Sequence, residues 1–496
     1  MSRQTSVHDL ERLLQSFHTL IAVETVEEER VRSILMEVAT RLTVPLFEWS
    51  LHGGLKRRIG NEMEGTKDPL SMLQRIEEIH SGDAIYLLKD LGPHLGNANV
   101  ARVLRELVTR IHSSRSAIVI TGEPIELPRD IESLAVRFEL LLPDEREIRE
   151  VVRQVIDSMT TRRRVHVDLS RDDAMRLVRS LAGLTLNQVR RVIAQAIVAD
   201  DRLSGEDIDR VVRWKGEIIE RGGLLEFFPL EGNTFELGGF DRLKAWLERA
   251  RIGFSREARA LNLAPPKGVL FVGVQGCGKS LAAKFIAREW KLPLLKLDAG
   301  RLYDKYVGES EKNFRRATTV AEAMAPVVLW IDELEKAFGQ GGSNDADGGL
   351  SQRLFGALLT WLQEKKEEVF VIGSANDLSR LPPEFLRKGR FDEIFFVDLP
   401  VEEERRNIFS IHLRLRKQDP ARFDLERLAA ATEGFSGAEI EQAVISALYR
   451  ALHVKRGLTT EKILDAVKST VPLSVTRSED ISRLRAAAEG RFTPVR

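Results

Sequence analysis

Apolar positions in the second half of the chain fall into short unbroken runs separated by amphipathic stretches. Gly268–Val274 reads GVLFVGV, Val327–Ile331 VVLWI, Val369–Gly373 VFVIG and Phe395–Leu399 FFVDL, the last closed by Pro400. Runs this short, rich in branched residues and bounded by turn formers, predict strands buried on both faces. Lys279–Trp290 instead carries its apolar residues at helical spacing. Strands alternating with helices predict a parallel sheet flanked by helices. From about Val401 the strand signal stops. Glu402–Arg414, Leu425–Thr432 and Gly437–Leu452 keep the helical period, which predicts a smaller helical subdomain.

The first half follows the same plan. Ala84–Leu88 (AIYLL) runs into Asp90 as Val327–Ile331 runs into Asp332, and Ala117–Thr121 (AIVIT) followed by Pro128 parallels Val369–Gly373 followed by Pro382. Arg137–Pro143 parallels Arg390–Pro400, and LTLNQV at 184–189 stands where FSGAEI stands at 435–440. Unrelated α/β domains also alternate strands and helices, but the kept order of these features predicts an internal duplication. Arg221–Asn233, rich in glycine, reads as a linker. The expected division is an α/β domain at 1–145, a small helical subdomain at 146–220, a linker at 221–235, a second α/β domain at 236–400, a helical lid at 401–470 and a tail at 471–496.

Composition narrows the classes. Lys+Arg and Asp+Glu both number 75, so no overall basic field favours nucleic acid or an anionic membrane. No apolar run approaches the roughly 20 residues needed to span a bilayer, and Met1–Arg30 has charges scattered through its apolar positions, unlike a signal peptide. Cys277 is the sole cysteine, so no internal disulfide forms and a reducing, cytoplasmic compartment is expected. The His residues show no zinc spacing.

The chemistry gathers at strand ends. Gly273-Val274-Gln275-Gly276-Cys277-Gly278-Lys279-Ser280 fits the pattern G-x-x-x-x-G-K-[ST], after a predicted strand and opening a predicted helix that continues through Leu281. Its glycines let backbone N–H groups converge on phosphate oxygens at a helix N-terminus. Lys279 is expected to reach the β/γ-phosphates and Ser280 to ligate Mg²⁺. Asp332 and Glu333 end a strand, where Asp332 suits the metal's water shell and Glu333 suits orienting an attacking water. Asn376 lies beyond the next strand and could hydrogen-bond that water or the γ-phosphate; an Asn-Asp pair is also an ordinary turn. Arg387 and Arg390 suit spread phosphate charge, although loop arginines are commonly just solvated. Cys277, at a helix N-terminus, is open to reading as a redox switch or as a small residue in a tight turn.

Residues from about 236 to 470 resemble a AAA-type ATPase module. The phosphate loop, VVLWIDE at 327–333, GSAND at 373–377, LPPEFLRKGRFD at 381–392 and GFSGAEI at 434–440 stand in family order. The resemblance implies that Asn376 senses the γ-phosphate, that Arg387 and Arg390 reach a neighbouring subunit's nucleotide, and that Gly437-Ala438 lies near adenine. It implies ATP and Mg²⁺ as cofactors and a hexameric ring, with Tyr306-Val307-Gly308 as a loop gripping polypeptide in the pore. Tyr306 could equally be a local core contact. Over its whole length the chain is similar to the two-part AAA proteins of cyanobacteria and algal plastid genomes, on PLFEWS at 45–50, GGL at 53–55, LLTWLQEKK at 358–366 and LRKGRFDEIFFVDLP at 386–400. In that group the first half is a degenerate AAA-like domain, and the plastid stroma is the compartment if the gene is organellar. No G-K-[ST] occurs between Leu42 and Gly65, and Leu91 is expected to stand where Glu333 stands, so no hydrolysis is expected there.

The expected fold is therefore a P-loop AAA-type α/β sheet with a helical lid, preceded by a degenerate AAA-like α/β domain. The expected function is a self-assembling ring ATPase acting on protein clients. The alternative is a nucleotide-controlled switch that binds a partner through the first half. A nucleic-acid motor is disfavoured by the zero net charge and the lack of a DNA-binding module.

Overall fold

The computed structural model describes residues 2–57, 61–162, 165–229, 237–302, 309–338, 348–387 and 389–496. The chain divides into compact units, Met1–Val211 and Val212–Arg496. The first unit holds β1 (Leu20–Glu24), β2 (Leu46–Ser50), β3 (Gly54–Arg57), β4 (Ile85–Lys89), β5 (Ala117–Gly122) and β6 (Ala135–Arg137). They form one sheet in the order β3-β2-β4-β5-β1-β6. The pairs are parallel except at the edge, where β3 runs antiparallel to β2. Within β1, Leu20 and Ala22 face one apolar cluster and Ile21 and Val23 the other. An unbroken apolar run is what a strand covered on both faces requires. A helical region follows, with a parallel pair of short strands, β7 (His166–Asp168) and β8 (Arg202–Ser204).

The second unit repeats the plan. Its strands are β9 (Leu225–Phe228), β10 (Gly268–Gly273), β11 (Leu294–Asp298), β12 (Val327–Asp332), β13 (Val369–Ala375), β14 (Glu393–Val397) and β15 (Thr493–Pro494). Their order is β9-β11-β12-β13-β10-β14-β15. In both chain order and place in the sheet, β10, β11, β12, β13 and β14 match β1, β2, β4, β5 and β6; the antiparallel edge strands differ, since β3 follows β2 in the chain whereas β9 precedes β10. A repeated strand order is what an internal duplication leaves. The helices Glu402–Leu415, Leu425–Ala431, Gly437–His453 and Thr460–Lys468 form the lid around Phe409, Leu413, Ile440, Val444 and Ile463.

Several sequence expectations need correction. Part of the expected linker is β9, which pairs with β11 and buries Leu225 and Phe227. The expected tail contains a helix, Ser478–Ala488, and the edge strand β15 paired with β14. Arg137–Pro143, which parallels Arg390–Pro400 in sequence, differs from it in structure: β14 spans Glu393–Val397, whereas β6 covers Ala135–Arg137 and ends there. Strand β11 has no counterpart in the sequence reading, because Lys296 and Asp298 interrupt its apolar run; Lys296 lies over the Trp330 ring at 5.0 Å instead.

Candidate nucleotide site

Parallel β10 delivers the loop 273–280 to the carboxyl end of the sheet, where ligands bind in open α/β folds. Gly273 has no room for a side chain, since a Cβ there would lie 2.0 Å from the Val397 carbonyl oxygen. Gly278 caps the helix Lys279–Trp290 in the left-handed region, at φ 95°. The loop also touches the lid: the Ala438 amide donates to the Gly276 carbonyl at 3.0 Å.

Lys279 is buried, and its Nζ donates to the Gly273 and Val274 carbonyls at 2.8 and 2.9 Å. Burial pushes its ammonium down to about 8, opposed by nearby Cys277, Glu335, Asp332 and Glu333. Desolvation disfavours the charged form, so an anion arriving here meets a strong demand for its charge.

Strand β12 ends on Asp332, and Glu333 turns out of the sheet with φ 51°, an uncommon backbone state for a residue with a side chain. Ser374 on adjacent β13 fixes both. Its Oγ donates to Asp332 Oδ1 at 2.5 Å and accepts the Glu333 amide at 3.1 Å. The Asn376 side-chain amide reaches Glu333 Oε1 at 3.5 Å, and its backbone N–H donates to Glu335 Oε1 at 2.9 Å. Burial raises the Glu335 carboxyl, and its Oε2 has no hydrogen-bond partner among the described residues. Lys336 pairs with Glu333 from the solvent side.

A cleft of about 620 Å³ opens between sheet and lid. Gln275, Gly276, Cys277, Gly278, Lys279, Ser280, Leu281, Asp332, Glu333 and Asn376 line one side, and Gly437 and Ala438 another. Gly273 and Val274 act through their carbonyls rather than by lining it. Arg387, which is exposed, and Arg390, which donates to the Leu359 carbonyl at 3.3 Å, do not line it. Tyr306, Val307 and Gly308 lie outside the described residues. Cys277 is buried, its Sγ 3.7 Å from the Gln275 carbonyl, and burial pushes its thiol up to about 12. That environment fits the turn-filling role and argues against a redox switch.

Sequence reasoning missed the other end of the cleft. Leu237, Gly238 and Phe240 line it, with Ile408, Ile411 and His412 from the lid, and Pro494, Val495 and Arg496 from β15 and the residues after it. The paired glycines before the helix Asp241–Arg251 were a usable signal for the first group; an amphipathic helix and a short strand offered none. Desolvation lowers the His412 imidazole, so it tends to be neutral. Among the described residues no three His, Cys, Asp or Glu cluster to hold a metal. Ser280 and Asp332 line the same cleft and offer a hydroxyl and a carboxylate, a donor set that fits a divalent ion completed by water and phosphate oxygens, the usual manner of Mg²⁺.

The matching place in the first unit is built differently. β1 ends at Glu24, and Thr25-Val26-Glu27 leads into the helix Glu28–Leu42 without glycine. Strand β4 continues to Lys89, and Asp90 takes the left-handed turn at φ 53°. Asp90 therefore matches Glu333 and Lys89 matches Asp332, which corrects the expected alignment by one residue. A lysine, in contact with Glu28 at 3.9 Å and Glu29 at 3.1 Å, stands at the metal-side position. Glu27 Oε1 accepts the Leu186 amide at 2.6 Å, at the start of the helix Leu186–Asp200 that matches Gly437–His453. Arg30 pairs twice with Glu147, at 3.0 and 2.9 Å, and Glu27, Arg30 and Glu147 are all buried. Glu27 and Glu28, carboxylates rather than glycines, therefore stand where β1 passes into its helix, so a phosphate chain would meet like charge there.

Residues 269–399 match the ATPase family associated with various cellular activities (AAA), and 422–465 match the AAA+ lid domain. Residues 6–140 match the SpoVK-like AAA ATPase N-terminal domain and 146–222 its second domain. The chain is 36% identical over 484 residues to the AAA domain-containing protein ycf46 of Trieres chinensis, covering 97% of this chain and 96% of that one. It is 37% identical over 481 residues to the ycf46 protein of Guillardia theta, covering 96% and 94%. A cell division cycle protein 48 homolog of Archaeoglobus fulgidus is 28% identical over 356 residues, 67% of this chain and 48% of that one.

Proposed function

Because this chain belongs to the AAA ATPases that include the ycf46 proteins and is an ATP-hydrolysing enzyme, we propose that it hydrolyses ATP at the second-unit cleft as a ring that remodels protein clients. The carrying observation is the meeting of Lys279, Asp332, Glu333 and Asn376 in one cleft between sheet and lid.

In this reading the loop amides and Lys279 hold the β/γ-phosphates, and the lid closes on the base beside Gly437 and Ala438. Glu333, held by Asn376 and by the Ser374 bond to its amide, orients water in line with the γ-phosphorus and receives its proton. Ser280 and Asp332 would hold Mg²⁺, which when bound would supply neutralisation of phosphate charge. Asn376 touches the residue that contacts the water, which suits a sensor of γ-phosphate state. Arg387 and Arg390 lie away from their own cleft, which supports their reaching a neighbour's. The first unit is read as a scaffold without turnover, and the setting as the cytoplasm, or the plastid stroma for an organellar gene. No described helix is long and apolar enough to cross a membrane.

The test uses Glu333→Gln, which is expected to hold ATP without splitting it. Mass photometry with ATP and Mg²⁺ is expected to find a ring-sized species, and clients are expected to co-purify from the native host with the trapped protein. A monomer at every concentration would end the ring reading. A partner bound much more tightly in the ATP than the ADP form, with no change in that partner's fold, would favour the switch.

A further inference from the structure

The base end of the cleft has a wall that phosphate chemistry does not require. β15 pairs with β14 through Thr493 opposite Phe395 and Pro494 opposite Phe396. Val495 donates its amide to the Phe396 carbonyl at 3.2 Å, and its own carbonyl accepts the Arg242 and Leu243 amides at 3.1 and 3.4 Å. Those amides open the helix that follows the cleft-lining loop Leu237–Phe240. Thr493 Oγ1 donates to Glu393 at 2.8 Å, and the Val495 side chain is buried. The strand is thus clamped between the sheet edge and the loop on the base side.

Arg496 then crosses the hinge. Its Nη1 donates to the Leu399 carbonyl at 3.1 Å, where the sheet ends, and to Glu404 Oε2 at 3.4 Å, in the first turn of the lid. Glu404 also accepts the Val401 amide at 2.9 Å, and it lies so close to Gly239 that a Cβ there would come within 2.3 Å of its Oε1. One guanidinium therefore links the end of the sheet to the lid around Pro400, and the lid carboxylate it holds lies against the base-side loop at Gly239. The angle between sheet and lid sets the width of the cleft, and a hinge needs few residues to hold it.

We propose that residues 493–496 belong to the nucleotide site, with Arg496 a positioning residue that straps the hinge so that the lid seats on the base and ribose of an adenine nucleotide. The proposal rests on the cleft being the nucleotide site. Half-exposed charged hydrogen bonds contribute modestly, so loss of the strap weakens binding without abolishing it.

The experiment compares full-length Arg496→Ala and Arg496→Lys with the parent, reading the Kd for a fluorescent ADP, the KM and kcat for ATP, and the nucleotide-free Tm. Arg496→Ala is expected to raise Kd and KM by about tenfold, a change of roughly 1.4 kcal/mol. Its kcat is expected to stay within a factor of about two and its nucleotide-free Tm to stay near the parent's. Arg496→Lys, keeping a donor, is expected to recover most of the affinity. Deleting residues 493–496 is expected to weaken binding further; if it abolishes the cooperative melt, the Arg496 variants decide. A Kd for Arg496→Ala within a factor of about two of the parent, or a loss in kcat with KM unchanged, overturns the proposal. Lys279→Ala runs alongside: parent-like binding by that variant would overturn the cleft reading itself. Lost binding there with parent-like Arg496→Ala would overturn only the strap.

Discussion

Ser374 shows how far a residue's role depends on its neighbours. Its hydroxyl joins the Asp332 carboxylate to the Glu333 backbone, so a single oxygen sets both acids at the strand end. Ser374→Ala is expected to lower kcat by about 10- to 100-fold while the nucleotide-free Tm changes little, the usual result of removing a group that orients an acting residue. Stopped-flow phosphate release with MgATP measures it. Nothing in GSAND singled out this serine, because its partners lie on another strand. Lys279, Ser280, Asp332 and Glu333 were legible because the phosphate loop is local, with its chemistry set by the spacing of glycines within a single turn. Cys277 was legible in position but not in reactivity. With its thiol pushed up to about 12, labelling by a thiol reagent at pH 8 is expected to be slow in the folded protein and fast in guanidinium.

At the scale of elements, the ends of strands mattered more than their existence. The apolar run AIYLL stops at Leu88, but the ladder continues to Lys89 opposite Thr121, and that single residue moves Asp90 onto the Glu333 position. A polar side chain ends a sequence pattern without ending a backbone ladder. The first unit's closure depends on Arg30, which satisfies Glu147 and lies 3.6 Å from Glu27. Arg30→Ala is expected to destabilise that unit by about 3–5 kcal/mol, since it leaves buried carboxylates uncompensated. Urea denaturation of the full chain, followed through Trp49 in that unit, reads the shift.

The helix Asp207–Arg221 carries a different liability. Lys215 is buried against Phe227, its Nζ 5.5 Å from the ring, and desolvation pushes its ammonium down to about 7. Between that value and the unfolded one near 10.4 the unfolded chain binds more protons, so this residue makes stability rise with pH across that window. Lys215→Met removes the dependence. It is expected to raise Tm most at pH 7 and below, with the gain shrinking toward pH 10; a constant gain would contradict the assignment.

For the whole molecule, similar sheets carry different side chains at the same place, Glu27 and Lys89 in the first unit against the glycine loop and Asp332 in the second. Titration calorimetry with ADP is expected to give one nucleotide per chain, and a stoichiometry of two would show that the carboxylates around Glu27 do not exclude phosphate. Assembly has its own signature. Arg387→Ala is expected to lower turnover only at concentrations where the parent's specific activity rises with concentration, because that arginine does not line its own cleft. Steady-state rates across a dilution series separate this from a defect within the chain.

The sequence by itself determined the alternation of strands and helices, the phosphate loop, the acids that end β12 and the repeated plan, because each rests on residues near one another along the chain. Tertiary structure alone decided that Ser374 joins Asp332 to Glu333, that Glu27 accepts the Leu186 amide while Arg30 pairs with Glu147, and that residues 494–496 line the second unit's cleft. Those contacts join segments far apart in sequence. Their existence follows from which strands become neighbours and where each ladder stops, and side-chain spacing along one segment carries no record of either.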